Sequence, residues 1–185
     1  MSEEVLQGQI DLIRRYLRET DAVVVLTGAG VSAESGIPTF RNAQTGLWAR
    51  YDPMELATPQ AFARDPALVS CWYDERRRKS AAPRPSGLDA APGGVRGGGE
   101  ALYLITQKVD RLHQRAGSRD LLEPQGTFWV WRCTSCGEER GEWEIPFPEY
   151  PPRCHCGGTR RPGVVWFGET LPESVLAAAW QAAEP

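Results

Sequence analysis

Five cysteines stand among the 185 residues, and four of them form two tight pairs. Cys133 and Cys136 are separated by two residues, Cys154 and Cys156 by one. Thiolates are soft ligands, and four of them suit a tetrahedral zinc ion. Paired spacing in a chain with no secretion signal reads as metal binding rather than disulfides. Four thiolates leave the ion no open position, so it would hold a small module together and activate no water. The second gap is tight, and Gly157-Gly158 gives the chain freedom to turn. His155 lies between two ligands and is an alternative donor, with the thiolates preferred. Cys71 stands alone and reads as a small core residue.

A second pattern is Thr27-Gly28-Ala29-Gly30-Val31-Ser32-Ala33, a Gly-x-Gly-x-x-Ala run. It matches the dinucleotide fingerprint, although a plain strand-to-helix turn is the competing reading. Gly28 permits a tight turn, Gly30 lets backbone approach a pyrophosphate, and amides of the following turn can cradle phosphates. The acidic residue that usually follows about twenty positions on is not evident, which argues against a standard dehydrogenase. Tyr73 and Arg76 form a third pattern, three apart and so on one face of a predicted helix. Arg77, Arg78 and Lys79 follow, so spacing alone also fits a solvated basic stripe.

The elements that must position these groups read as an α/β chain. Val5, Leu6, Ile10, Ile13 and Leu17 predict an amphipathic helix ending near Thr20. Ala22 to Leu26 predicts a parallel strand buried on both faces, and Tyr103 to Thr106 a second. Helices are predicted over Pro66 to Lys79, with proline at the start, and over Pro172 to Ala183. Between Ala81 and Glu100, 13 of 20 residues are Ala, Pro or Gly, which predicts a flexible loop where a crossover helix belongs. Residues 1–126 read as the first part of a Rossmann-like domain, 127–162 as an inserted zinc module, and 163–185 as the return to the first domain.

A net charge of −3 argues against a nucleic-acid binder. A zinc-finger nucleic-acid module is also weak because no recognition helix accompanies the cysteines. No run of eighteen apolar residues predicts a membrane span, and Met1 to Ile10 does not resemble a signal peptide. The cytoplasm is the expected location. The oligomeric state is left open.

Gly28 through Arg41, with Gly46-Leu47-Trp48, closely resembles the cofactor loop of the sirtuins, the NAD-dependent protein-lysine deacylases. Ile105 to His113, the cysteine pairs, and Arg161 to Glu169 follow in the family's order. The resemblance implies an NAD site at Gly28, Ala29, Gly30, Ser32, Phe40, Arg41, Trp48, Gln107, Lys108 and Asp110, with one structural zinc. It also implies an acyl-lysine peptide as partner, lying along Val164 to Glu169, with Val165, Phe167, Gly168 and Glu169 touching it. Tyr73 and Arg76 match the Tyr-x-x-Arg pair of class III sirtuins, which reads succinyl, malonyl and glutaryl groups. The reaction implied moves the acyl group from lysine to ADP-ribose with release of nicotinamide.

Several positions depart from the family pattern. Glu123-Pro124-Gln125-Gly126 replaces Glu-Leu-His-Gly, so Gln125 stands where the general-base histidine is expected. A carboxamide cannot accept a proton near neutral pH. Asp110 retains the carboxylate expected to bond the nicotinamide amide, whereas Lys108 replaces an asparagine expected at the nicotinamide ribose. Arg111 replaces a glycine and is expected to strain a turn. Asn42 is a milder change, and His113 reads as structural. Pro185 falls short of the family's later strands, which implies an open apolar sheet edge and weak or absent NAD binding. The Ala/Pro/Gly/Arg-rich insert also has the composition of GC-rich DNA read out of frame. A deacylase is therefore weighed against a catalytically impaired remnant that serves as a zinc-bearing binding module.

Overall fold

The computed structural model describes residues 2–37, 52–94 and 101–184. The Val-rich run becomes strand β1 (Ala22–Thr27), in parallel register with β2 (Ala101–Thr106) from Ala22 opposite Ala101 to Thr27 opposite Thr106. β3 (Leu121–Leu122) joins the far side of β2, also parallel. The expected burial of β1 on both faces does not hold: Val24 is 39% and Leu26 68% exposed. Among the described strands β1 is outermost in this sheet, and no residue of helix α1 (Glu3–Glu19) is buried. Burial of a strand is set by the layers around it, which an apolar run does not specify.

Helices α2 (Pro53–Leu56), α3 (Pro59–Arg64) and α4 (Pro66–Ala81) follow. Pro59 and Pro66 sit in the first turns of α3 and α4, where their missing N–H costs nothing. Thr58 and Asp65 cap these helices by accepting the Ala61 and Leu68 amides at 3.1 and 2.9 Å. Cys71 is exposed rather than in the core. It shares the outer face of α4 with Leu68 and Arg78, while Val69, Trp72, Tyr73 and Arg77 point inward.

The expected loop over 81–100 is corrected in part by a helix, α5 (Gly87–Gly94). A reciprocal cap starts it: Ser86 N donates to Asp89 Oδ2 at 2.8 Å, and Asp89 N to Ser86 Oγ at 3.4 Å. Asp89 is fully buried and also accepts from Ser35 Oγ at 2.5 Å. Tertiary contacts thus outweigh poor helix propensity. α6 (Leu112–Arg115) follows β2, and α7 (Glu173–Ala183) matches the predicted final helix. None of the described helices is long and apolar enough to cross a membrane.

A second, antiparallel sheet places β4 (Gly126–Cys133) between β5 (Glu139–Gly141) and β6 (Arg160–Val164). Trp131 and Phe128 of β4 join Val69, Trp72 and Tyr73 of α4 in the main core. The seam between α4 and this sheet carries a buried ion pair, Arg77 Nη1 to Asp74 Oδ1 at 2.8 Å. Arg77 also donates to the Glu142 and Glu144 carbonyls, and Asp74 Oδ2 accepts from Phe147 N and Tyr150 Oη. Asp74→Ala strands a buried guanidinium, so stability is expected to fall by about 3–5 kcal/mol. Urea unfolding checks this, and an unchanged midpoint would refute it.

Candidate functional site

Cys133 ends β4 and Cys154 lies shortly before β6, so one sheet brings both cysteine pairs to one end. The four Sγ atoms lie within 4.8 Å of one another. The Cys133–Cys156 and Cys136–Cys154 separations are 3.5 and 3.8 Å. Zinc–sulfur bonds of about 2.3 Å in a tetrahedron place sulfurs about 3.8 Å apart, so the donors fit the ion. Amides of Cys136 and Ser135 pull the Cys133 thiol down to about 6, which makes it a ready thiolate. Gly158 is required here: a Cβ would lie 2.6 Å from Ser135 Oγ and 2.8 Å from Cys133 Sγ. His155 Nδ1 is 3.6 Å from Cys154 Sγ and 3.2 Å from Glu138 Oε2. Arg160, itself buried, already contacts both Glu138 and Cys154 Sγ, which occupies that side with a cation.

The second centre lies at the carboxyl end of the parallel sheet, the usual ligand edge of such sheets. Thr27 Oγ1 donates to Thr106 Oγ1 at 2.7 Å, and Gln107 N donates to the Thr27 carbonyl at 2.9 Å. These bonds join the ends of β1 and β2. Turns then run from Gly28 to Gly36, with Val31 N bonded to Gly28 O and Ala33 N to Gly30 O. A Cβ at Gly30 would meet nothing within 4 Å, and one at Gly28 would meet Gln107 Oε1 at 3.7 Å. Among the described residues nothing crowds the backbone at Gly28 and Gly30, as the approach of a pyrophosphate requires. Ser32 is fully buried and donates to Asp110 Oδ2 at 3.0 Å. Asp110 Oδ1 accepts from Leu112 N at 3.1 Å, and Lys108 Nζ lies 3.3 Å from Oδ2. Phe40, Arg41, Asn42 and Trp48 lie outside the described residues.

Arg111 takes φ 64° and ψ 23°, the left-handed conformation expected of a residue in a glycine's place. Among the described residues no other non-glycine has positive φ. His113 is structural, as expected. It is 1% exposed, with Nε2 2.9 Å from Thr27 Oγ1 and Nδ1 3.0 Å from the Asp89 carbonyl.

A third group of residues converges on the same region. Trp129 Nε1 donates to the Asp110 carbonyl and Thr127 Oγ1 to the Val109 carbonyl, which ties the 107–111 turn to β4. Gln125 is half-buried, and its carbonyl accepts from Val165 N at 3.0 Å. Phe167 N donates to the Ala57 carbonyl at 3.0 Å. β6 ends at Val164, so Val165, Phe167, Gly168 and Glu169 lie in the turn beyond it rather than in the strand. Gly168 has φ 84°, which ends extended pairing. Both Glu169 oxygens are held by Arg161, at 2.6 and 2.9 Å. Tyr73 is buried, and its hydroxyl accepts from Trp166 Nε1 at 2.9 Å. Burial pushes that phenol up to about 12, so it remains an O–H donor. Arg76 lies over Trp72 and Tyr73, with its guanidinium carbon 4.6 and 5.6 Å from the ring centres. The basic-stripe reading fails for Arg77, which is fully buried. Sequence reasoning missed Trp166, whose bond to Tyr73 spans 93 positions.

Known proteins now decide the family. The Sir2 family model matches residues 28–184. The chain belongs to the Sir2 family. The NAD-dependent protein deacylase of Aquifex aeolicus is 52% identical over 160 residues, 86% of this chain and 66% of that protein. NAD-dependent protein deacylase 1 of Pseudomonas aeruginosa is 52% identical over 169 residues, 87% of this chain and 68% of its own. The chain thus spans about two thirds of the length of these Sir2 relatives. A solved Sir2 homologue in complex with NAD covers 98% of this chain and 68% of its own, at 46% identity and TM-score 0.79. A mutant Sir2 homologue with ADP ribose covers 100% and 71%, at 46% identity and TM-score 0.83.

Proposed function

We propose that the chain performs NAD-dependent protein-lysine deacylation with a preference for acidic acyl groups. The observation that supports this reading is that Thr127 Oγ1 and Trp129 Nε1 bond the Val109 and Asp110 carbonyls, which joins the turn holding the Ser32–Asp110 pair to the strand that begins just after the Gln125–Val165 bond. In this reading Gln125 is the catalytic position, Val165 belongs to the peptide-facing segment and Ser32 to the nucleotide loop. NAD, when bound, supplies the ribose that receives the acyl group as nicotinamide leaves. Gly28, Ala29, Gly30, Ser32, Gln107 and Asp110 would hold it, with Phe40, Arg41 and Trp48 completing the loop. Val165, Phe167, Gly168 and Glu169 would line the acyl-lysine peptide. Tyr73 and Arg76 would receive the acyl carboxylate by an O–H donor and a guanidinium fork. Gln125 can orient a hydroxyl by hydrogen bonding but takes no proton. Residues 1–126 and 163–185 form the nucleotide-binding part in this reading, and 127–162 the zinc module. The reduced thiols of such a zinc site match a cytoplasmic location.

The test compares succinyl-lysine and acetyl-lysine peptides in the presence of NAD. Succinyl is expected to be preferred, and Arg76→Met to reduce kcat/KM for the succinyl peptide by roughly 10- to 100-fold, a loss of about 1.5–3 kcal/mol typical of a charged hydrogen bond. The acetyl peptide should change little. Because Tyr73 stays protonated up to about 12, the preference should be constant between pH 6 and 9. Equal loss on both peptides would remove the acyl-reading role.

A further inference from the structure

Asp110 is the carboxylate of the nucleotide site, and it is 2% exposed. Both oxygens are engaged: Oδ1 by the Leu112 amide, Oδ2 by Ser32 Oγ and Lys108 Nζ. The Lys108 side chain is itself only 11% exposed, so this ion pair is withdrawn from screening water. Its backbone is also held, with Lys108 N donating to Thr106 Oγ1 at 3.1 Å. Arg76 on α4 is near enough to interact with the Asp110 charge as well. The carboxylate therefore already has cationic neighbours before any ligand arrives. A pyridinium ring brought beside it adds another positive charge where the dielectric is low and like charges repel strongly.

We propose that Lys108 supplies at Asp110 the positive charge that a pyridinium would otherwise bring, so that this nucleotide site prefers ADP-ribose and dinucleotides with an uncharged ring over NAD. The inference rests on reading the Gly28–Ser32 loop as a nucleotide site. NADH is the direct probe, because its dihydronicotinamide keeps the carboxamide and the ring size but carries no ring charge.

Titration calorimetry of the unmodified chain with NAD, NADH and ADP-ribose tests this, followed by Lys108→Met, which keeps length and removes charge. NADH is expected to bind about tenfold tighter than NAD to the unmodified chain, and within about twofold of NAD in Lys108→Met. ADP-ribose should also bind the unmodified chain tighter than NAD. Equal NAD and NADH affinities in the unmodified chain would overturn the proposal and leave the nucleotide site standing. A difference that persists in Lys108→Met would overturn the role of Lys108. Binding of none of the three ligands to either protein would overturn the proposal and the nucleotide reading together.

Discussion

Cys154→Ser is expected to take bound zinc from about one ion per chain to near zero and to unfold the second sheet. The reason lies in how little else holds that region. Among residues 134–159, regular structure is confined to the three-residue strand β5. The rest is turns between prolines, and Trp143 there is 62% exposed. Structural zinc contributes roughly 10–16 kcal/mol to small modules, as much as the whole stability of an ordinary domain. Cys154 also accepts from Arg160 Nη2 at 3.4 Å, so its loss takes one partner from a buried guanidinium that otherwise keeps Glu138 and the Trp131 carbonyl. The effect should reach the main core, because Trp131 of β4 packs edge-on against Phe147 with ring centres 4.8 Å apart. Metal analysis gives the first readout and tryptophan fluorescence the second. A strong chelator should produce the same spectral change in the unmodified protein. Cys71→Ser, on the exposed face of α4, should leave both unchanged. Full zinc retention by Cys154→Ser would show that three sulfurs suffice, with His155 as the replacement donor to examine next.

The zinc centre was readable from the chain because its ligands are close in sequence and chemically unmistakable. The same holds for α4, whose first proline and inward Trp72-Tyr73 pair carry local signals. α5 shows a local signal that composition masked. Ser86 and Asp89 stand at capping-box spacing, but the surrounding Gly, Pro and Ala argue for a loop. Burial of β1 was beyond sequence reasoning, since an apolar run does not specify which layers will cover it. The Tyr150–Asp74 and Trp166–Tyr73 bonds join residues far apart in the chain, and no periodicity announces such pairs. Arg111 is the converse case. A side chain in a glycine's place predicted backbone strain, and the residue is found at positive φ.

Gln125→His is expected to raise the deacylation rate by about 10²- to 10⁴-fold, the usual worth of a general base. The backbone at this position is fixed independently of the side chain. The Gln125 carbonyl is pinned by Val165 N, and Gly126 N bonds back to Glu123 O at 2.9 Å. Gly126 has φ 67°, and a Cβ there would lie 2.1 Å from the Gly163 carbonyl oxygen, so the turn admits little variation. An imidazole at position 125 would therefore start from the same Cα as the carboxamide it replaces. His113 cannot serve in its stead, because both ring nitrogens are bonded and the ring is buried. The pH profile separates general-base gain from mere repacking. A histidine base works in its neutral form, so the added rate should be absent at low pH and rise through about 6.5, while the Gln125 chain shows no such step. Gln125→Asn, which keeps the amide and loses a methylene, should show neither gain nor step. If Gln125→His were no faster at any pH while binding NAD and peptide as the unmodified chain does, position 125 would not be the site of proton transfer.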